Sequence, residues 1–311
     1  MSELVKLLLV ESGMDINDLR RIIRTAPRRY KVFEIDKRSG GKREIAQPAR
    51  ELKRLQRILM QHVLAPLPVH TAATAYRKGM SILDNAMPHR SSGPILKMDF
   101  RNFFPSIRSE DWLLYCAENG ILSIDDRQIS AQLLFRQAKY ERVLKLSIGA
   151  PSSPMLSNIL MARFDEAIWI EAERRKIAYT RYADDLTFSG QRAGMLKDMI
   201  KEVERAVRRI DRPKLNINAE KTTFVTAATK RAVTGIVLAN DGSVGIGRER
   251  KRLLSSRVHH AIINKMARED LQKLAGELAF VNVVEPDFIV WLQNKYGHEN
   301  IEMIKRLKHT N

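Results

Sequence analysis

Two adjacent carboxylates, Asp184 and Asp185, sit inside the stretch YTRYADDLTFS, with Tyr179, Thr180 and Tyr182 before them and Leu186, Thr187 and Phe188 after. β-Branched and aromatic residues favour strands, so the acids are expected at a hairpin tip. Aspartate is also an ordinary turn residue, because its side chain bonds its own backbone, and a solvated turn would account for this pair alone. It would leave a third acid unexplained. Asp99, in KMDFRNFF, closes another short apolar run, and a sheet bringing that run beside the hairpin would gather three carboxylates. Clustered negative charge withdrawn from water is costly unless a cation neutralises it. An oxygen-rich site suits Mg²⁺, which takes one or two carboxylates and completes its shell with phosphates. Two such ions would serve in-line phosphoryl transfer, one activating a hydroxyl and the other holding the leaving group.

Gathering these acids requires a particular order of elements. A short buried strand precedes Asp99, and one helical stretch is expected over roughly 110 to 140. LSIGAPSSP reads as a Gly-Ala-Pro loop opening a helix, with Ser153 as N-cap, Pro154 at the first position, and an apolar stripe of Leu156, Ile159, Leu160, Phe164 and Ile168. After the acidic hairpin, Met195, Leu196, Met199, Ile200, Val203, Val207 and Ile210 mark a second amphipathic helix. Strands are expected at 214 to 218, 221 to 227 and 233 to 238, and Asn240-Asp241-Gly242 turns a further hairpin. Strand, helix, hairpin, helix, strand is the βαββαβ order of a ferredoxin-like sheet. From Arg248 the chain is expected to be helical, with a break at Pro286.

Ahead of this sheet lie a helix at 15 to 24 and a basic hairpin in YKVFEIDKRSGGKREIAQP, turning at Ser39-Gly40-Gly41 with Lys37, Arg38, Lys42 and Arg43 on its arms. Residues 50 to 64 switch to helical period, with Leu52, Leu55, Ile58 and Leu59 on one face and Arg50, Lys53, Arg54 and Arg57 on another. That basic stripe is either a phosphate rail or the solvated face of an amphipathic helix.

The 311 residues carry 54 Lys and Arg against 36 Asp and Glu, a net +18, which points to a polyanionic partner, nucleic acid foremost. The first 98 residues are the most basic part, with 19 basic and 9 acidic side chains. A single cysteine, Cys116, excludes an intramolecular disulfide and a cysteine-based zinc finger, and it fits a reducing, cytoplasmic setting. The apolar run LVKLLLV is too short for a signal-peptide core or a bilayer span, so no membrane partner is expected.

In chain order, DFRNFF, IGAPSSP, YADD and LNINAEKT resemble the palm motifs of reverse transcriptases, and NAMPH at 85 to 89 with VTG at 233 to 235 narrows the resemblance to the retron reverse transcriptases. The resemblance implies an α+β, right-hand polymerase: fingers over 1 to 95, a ferredoxin-like (βαββαβ) palm over 96 to 240, and a small helical, RNA-binding thumb over 241 to 311. It implies an RNA-directed DNA polymerase using two Mg²⁺ ions and dNTPs. The substrate would be a structured noncoding RNA, template and primer at once, copied in part into single-stranded DNA. Synthesis would start at an internal guanosine 2′-OH and give a branched RNA–DNA product (msDNA), in an anti-phage defence system with a separate effector protein.

Roles follow from the same resemblance. Asp99 and Asp184 would bridge both ions, Asp185 would support them, the Phe100 carbonyl would add a ligand, and Lys221 would protonate the departing pyrophosphate. Lys37, Lys42 and Arg43 would hold the triphosphate, arginine being suited to bidentate contact. Tyr182 would pack near the primer terminus, Ala150 would line the nucleotide site, and Phe104 would exclude a ribose 2′-OH while Phe103 competes for that place or belongs to the core. Asn85 and His89 would bind the RNA or the priming nucleotide, or else cap a helix and satisfy buried backbone groups. Arg50, Arg54, Arg57, Arg248 and Lys251 would bind RNA. One departure stands out: LSIG replaces the usual LPQG, putting Ile148 where a glutamine would touch the incoming nucleotide or template, which bears on fidelity and nucleotide affinity.

Two alternatives remain at this level. A group II intron-type reverse transcriptase is the nearest, although no maturase or endonuclease segment is expected after Asn311. A catalytically idle RNA-binding scaffold is the other, and it would have no use for costly clustered carboxylates.

Overall fold

A computed structural model describes residues 1–307 apart from 38, 39, 92, 227 and 264. The chain opens with α1 (Glu3–Ser12) and α2 (Ile16–Thr25), capped by Ser2 and by Asp15, whose Oδ1 accepts from the Asn17 N–H at 2.7 Å. The early LVKLLLV run is thus a helix, burying Leu4, Val5 and Leu8. Next come β1 (Tyr30–Asp36) and β2 (Lys42–Pro48), paired antiparallel from Tyr30↔Pro48 to Asp36↔Lys42. Arg38 and Ser39 of the expected turn lie outside the described residues. The basic amphipathic helix is α3 (Arg50–Leu59), running on into a π-helical turn over Met60–Leu64.

The short helix α4 (Ile82–Ala86) leads to β3 (Ile95–Asp99) and a single helical turn, α5 (Phe103–Ser106). The single helical stretch expected over 110 to 140 is instead two helices, α6 (Ser109–Glu118) and α7 (Ile124–Leu134). Gly120 and Leu122, both at positive φ, turn the chain between them. Beyond α7 the chain is extended, β4 (Arg136–Gln137) pairing with β5 (Leu144–Lys145). α8 (Ser152–Leu160) starts earlier than expected, with Pro151 at its N-cap and Ser153 buried in its first turn, and a bend at Met161 separates it from α9 (Ala162–Arg174).

The central sheet joins β3 to β6 (Ala178–Tyr182), β7 (Asp185–Ser189) and, after α10 (Ala193–Arg209), β8 (Thr223–Val225). Its order is β6-β7-β3-β8, antiparallel throughout, which is the ferredoxin-like arrangement. Leu96, Met98 and Phe188 share one core with Phe164 and Ile168 of α9 and with Leu196, Met199 and Val203 of α10; the core continues into Leu8, Leu55 and Leu133 of the N-terminal helices and α7. The expected strand at 214 to 218 is only a bridge at Ile217, because the chain tightens into a 3₁₀ turn over Ala219–Lys221 before β8.

The strand expected at 233 to 238 is itself a hairpin. β9 (Ala232–Val233) turns through Thr234 and Gly235, both at positive φ, into β10 (Ile236–Leu238), which pairs with β11 (Val244–Gly245). With α11 (Arg248–Ile262), α12 (Arg268–Val284), α13 (Pro286–Tyr296) and α14 (His298–Lys305) these strands enclose a second core around Val233, Ile236, Val258, Leu278 and Leu292. Pro286 sits at the first position of α13, where its missing N–H costs nothing. Among the described residues no helix is long and apolar enough to cross a membrane.

Candidate active site

Asp99 ends β3 and Asp185 begins β7, and the two are direct partners in the antiparallel ladder. Strand pairing alone therefore sets their backbones side by side. Asp184 occupies the two-residue turn between β6 and β7 after Ala183, whose φ of 58° is unusual for a residue with a side chain. The Phe100 N–H donates to the Asp184 carbonyl at 3.1 Å, tying the turn to the end of β3. From the other side, the Asn218 N–H donates to the Asp99 carbonyl at 2.7 Å and the Lys221 ammonium donates to Asp99 Oδ2 at 2.8 Å.

The electrostatics show what this proximity costs. Desolvation, then the charge of Asp99, holds Asp184 above the usual carboxylate range. Desolvation, followed by the charges of Asp184 and Asp99, pushes Asp185 up to about 6, although its side chain still reaches solvent. Lys221 shifts upward through its hydrogen bond to Asp99. Among the described residues no three carboxylate, imidazole or thiol groups form a ready-made ion cage. The residues nevertheless suit a hard cation: the donors are carboxylate oxygens with unfavourable crowded charge, and an ammonium already lies on one of them. Mg²⁺ sites are of this incomplete kind, finished by substrate phosphates.

A cleft of about 510 Å³ opens over Asp99 and Asp184, with Asp185 adjoining but not lining it. Asp99, Phe100, Asp184 and Lys221 line its floor, Lys37, Lys42 and Arg43 come from the β1–β2 hairpin, and Phe104 and Ile148 contribute apolar wall. The Ala46 N–H donates to the Ile148 carbonyl at 2.8 Å, so the basic hairpin rests on the LSIG loop. Gly149 is required there: at φ 116°, a Cβ would stand 3.0 Å from the Ala46 carbonyl oxygen. Both phenylalanines border the cleft, but Phe103 is buried and stacked on Phe100 at 5.9 Å while Phe104 is partly exposed. Tyr182 does not line the cleft itself but lies 6.4 Å, ring to ring, from Tyr76, which does.

Three expectations change. Ala150 is buried and absent from the cleft wall, its place taken by Ser147 and Ile148 of the same loop. Asn85 is fully buried and serves as a tie, its Oδ1 accepting from the Thr74 hydroxyl at 2.8 Å and its amide reaching Thr234 Oγ1 at 3.4 Å. His89 is equally buried, its ring nitrogens 2.7 Å from Ser189 Oγ and 2.8 Å from Thr180 Oγ1. Burial, then the charge of Arg231, lowers it to about 3, so it stays neutral at any physiological pH. Both side chains are held inside the protein, in line with the buried-role alternative rather than direct RNA contact, and the NAMPH and VTG strings dock on each other and on the sheet.

The remaining basic residues lie elsewhere. Arg50, Arg54 and Arg57 are exposed along α3, outside the cleft. Arg248 and Lys251 line a separate groove of about 630 Å³ with Phe288, Trp291 and Lys295, where Lys251 pairs with Glu285 and lies 5.5 Å over the Phe288 ring.

Residue patterns did not single out Tyr76 or Arg181. Tyr76, at φ 60° and 50% exposed, is a non-glycine outlier in the cleft wall whose hydroxyl is shifted upward by desolvation and then by Asp184. Nothing in its AATAY context marks it. Arg181 is wholly buried against Asp165, and an arginine inside an apolar strand run was the available signal.

With this geometry in hand, the comparisons with known proteins are specific. A family model described as reverse transcriptase (RNA-dependent DNA polymerase) matches residues 35–238. The chain is 39% identical over 280 residues to the retron Ec83 reverse transcriptase of Escherichia coli, covering 89% of this chain and 90% of that protein. It is 32% identical over 302 residues to the retron Ec86 reverse transcriptase of the same species, covering 94% and 90%. Among solved structures, telomerase from Candida albicans in complex with a TWJ fragment of telomeric RNA superposes with a TM-score of 0.50 at 12% identity, over 91% of this chain and 55% of that one, a likeness of fold.

Proposed function

The chain belongs to the retron reverse transcriptases, RNA-directed DNA polymerases, and from that premise we propose that the cleft over Asp99 and Asp184, with Asp185 adjoining, copies part of a structured noncoding RNA into single-stranded DNA. The observation that carries the proposal is the juxtaposition of Asp99 and Asp185 across paired strands, with Asp184 in the adjoining turn and Lys37, Lys42 and Arg43 above.

Reverse transcriptases use divalent metal ions; here Asp99 and Asp184 would hold two Mg²⁺, with Asp185 in support and the Phe100 carbonyl as a further ligand. Such ions, when bound, favour the deprotonated attacking hydroxyl and neutralise charge growing on the phosphates. The protein's own residues do the rest. Lys37, Lys42 and Arg43 grip the triphosphate from the hairpin, and the planar guanidinium can take two phosphate oxygens at once. The hydroxyl gives its proton to water, its oxygen forms a bond to the α-phosphorus as the bond to pyrophosphate breaks, and Lys221, released from Asp99, gives the leaving group a proton. Phe104, on the cleft wall, would exclude a 2′-OH on the incoming sugar, and Tyr182 would support the primer end.

In this reading residues 1 to 95 act as fingers, 96 to 240 as palm and 241 to 311 as thumb. Arg50, Arg54, Arg57, Arg248 and Lys251 contact the RNA backbone. Priming from an internal guanosine 2′-OH would give the branched msDNA, made in the cytoplasm and serving anti-phage defence with a separate effector protein. The test is extension by the purified protein on its RNA with labelled dNTPs. Mg²⁺-dependent label that migrates with the RNA until RNase treatment is expected; no incorporation at saturating RNA and Mg²⁺ overturns the proposal.

A further inference from the structure

β6 is buried along both faces, with Tyr179, Thr180 and Arg181 all shielded from water. A guanidinium there costs several kcal/mol even after relaxation, and replacing a buried ion pair with apolar groups is often neutral or stabilising. Stability alone therefore does not explain Arg181. Its contacts do. Nε and one terminal nitrogen bind Asp165 in a fork, at 2.8 and 2.6 Å, and Tyr179 donates to the same carboxylate at 2.8 Å. The other terminal nitrogen donates to two oxygens, the Ala183 carbonyl at 3.0 Å and Asn158 Oδ1 at 3.1 Å. Asn158 then donates to the Ala75 carbonyl at 2.8 Å.

Both backbone endpoints adjoin strained turns. Ala183 has φ 58° and precedes Asp184; Ala75 precedes Tyr76, at φ 60°. Residues with a side chain are strained in left-handed backbone and hold it only where the surroundings impose it. Arg181 also pins the second segment through its backbone, its N–H donating to the Ala72 carbonyl at 2.7 Å and its carbonyl accepting from the Thr74 N–H at 2.9 Å. Asp184 and Tyr76 both line the cleft.

We infer that Arg181, oriented by Asp165 and extended by Asn158, is a positioning residue that clamps the Ala183–Asp184 turn and the Tyr76 turn in register across the cleft. The inference rests on the proposed role of Asp184. Arg181 touches no substrate; it fixes the backbone from which Asp184 and Tyr76 project, and displacements of about 1 Å at a reacting centre can cost a hundredfold in rate.

The test uses the full chain bound to its RNA. Arg181→Met combined with Asp165→Asn removes the guanidinium without stranding a buried charge and keeps an acceptor for Tyr179. Expected are a melting temperature and RNA affinity close to the parent's, kcat lowered about tenfold or more, a raised half-saturating Mg²⁺ concentration, a little-changed KM for dNTP, and faster amide exchange over residues 182 to 186. A folded double variant with parental kcat, Mg²⁺ requirement and exchange overturns the inference. Should it fail to fold, Asn158→Ala, which leaves the ion pair intact, decides: faster exchange over 74 to 77 with reduced kcat supports the clamp, and parental values refute it. Asp184→Asn separates the two layers. Full synthesis by that variant removes the premise, whereas loss of synthesis alongside unaltered Arg181 variants removes only the clamp.

Discussion

The molecule has two hairpins facing one cleft, and they are built in opposite ways. In β6–β7 every residue from Tyr179 to Ser189 is buried except Tyr182, Asp184 and Asp185 at the tip, and a guanidinium, a carboxylate and an amide hold the turn from beneath. In β1–β2 nearly every residue is exposed, including Val32, Phe33 and Ile35, and the register rests on its own ladder with an anchor from Ala46 to Ile148. Elements with few buried contacts open at low free energy, and those inside a core do so only near global unfolding. The acids to which the proposed reaction assigns a fixed geometry sit on the stiff hairpin, and the cations proposed to grip an arriving triphosphate sit on the compliant one.

The largest effect separating the two should come from the acids. Asp184→Asn with Asp185→Asn abolishes DNA synthesis while RNA binding persists and the metal-free protein melts no lower than the parent, because clustered repulsion is relieved. A large fall in melting temperature would instead make these acids structural. Their pH dependence has a definite sign. Both carboxylates titrate higher in the folded protein than in the unfolded chain, so the fold binds the extra protons between the ordinary carboxylate range and about 6. Without metal, the contribution of these two groups to stability is fullest below that window and is lost as pH rises through it. Asp185→Asn should flatten the fall by on the order of 1 kcal/mol, after discounting for solvent exposure, in melts from pH 4 to 7.5.

The floor beneath the stiff hairpin offers the next test. Phe103→Ala should cost about 3–5 kcal/mol of stability, since a buried ring stacked on Phe100 leaves a cavity. Phe104 is half-buried against Phe103, so Phe104→Ala should cost less stability than Phe103→Ala yet admit ribonucleotides in primer extension. If Phe103→Ala admits them and Phe104→Ala does not, the gate belongs to Phe103.

Smaller effects belong to the compliant side. Arg43→Ala should raise the dNTP KM with little change in melting temperature, within about 0.5 kcal/mol, as for exposed sites generally. Even the Lys42–Glu34 pair at 2.9 Å is open to water on both sides and adds little stability. Arg54→Ala with Arg57→Ala should reduce the salt dependence of RNA binding by about 0.7 to 0.9 in log–log slope per lost phosphate contact; an unchanged slope returns that face of α3 to ordinary solvation.

The contrast also marks what residue patterns could disclose. Strand order, the approach of Asp99 to the acidic hairpin and the basic hairpin are legible because they rest on local periodicity, turn chemistry and the βαββαβ order these imply. Arg181 was not, because its meaning comes from Asp165, Asn158 and Ala75, brought close only by folding. Asn85 and His89 show the same limit reversed: the family resemblance left RNA contact and a buried structural role both open, and burial shows them as ties between α4, the sheet and the Thr234 turn. Breaks were missed where one or two residues at positive φ redirect the chain, at Gly120 and Leu122 and again at Thr234 and Gly235.

Nucleic acid extracted from cells expressing the locus tests the central claim most directly. The account predicts a short single-stranded DNA covalently attached to RNA, present with the parent chain and absent with Asp184→Asn, Asp185→Asn at equal protein level. Parental amounts of that product from the double variant, or no RNA-linked DNA from the parent, would contradict it.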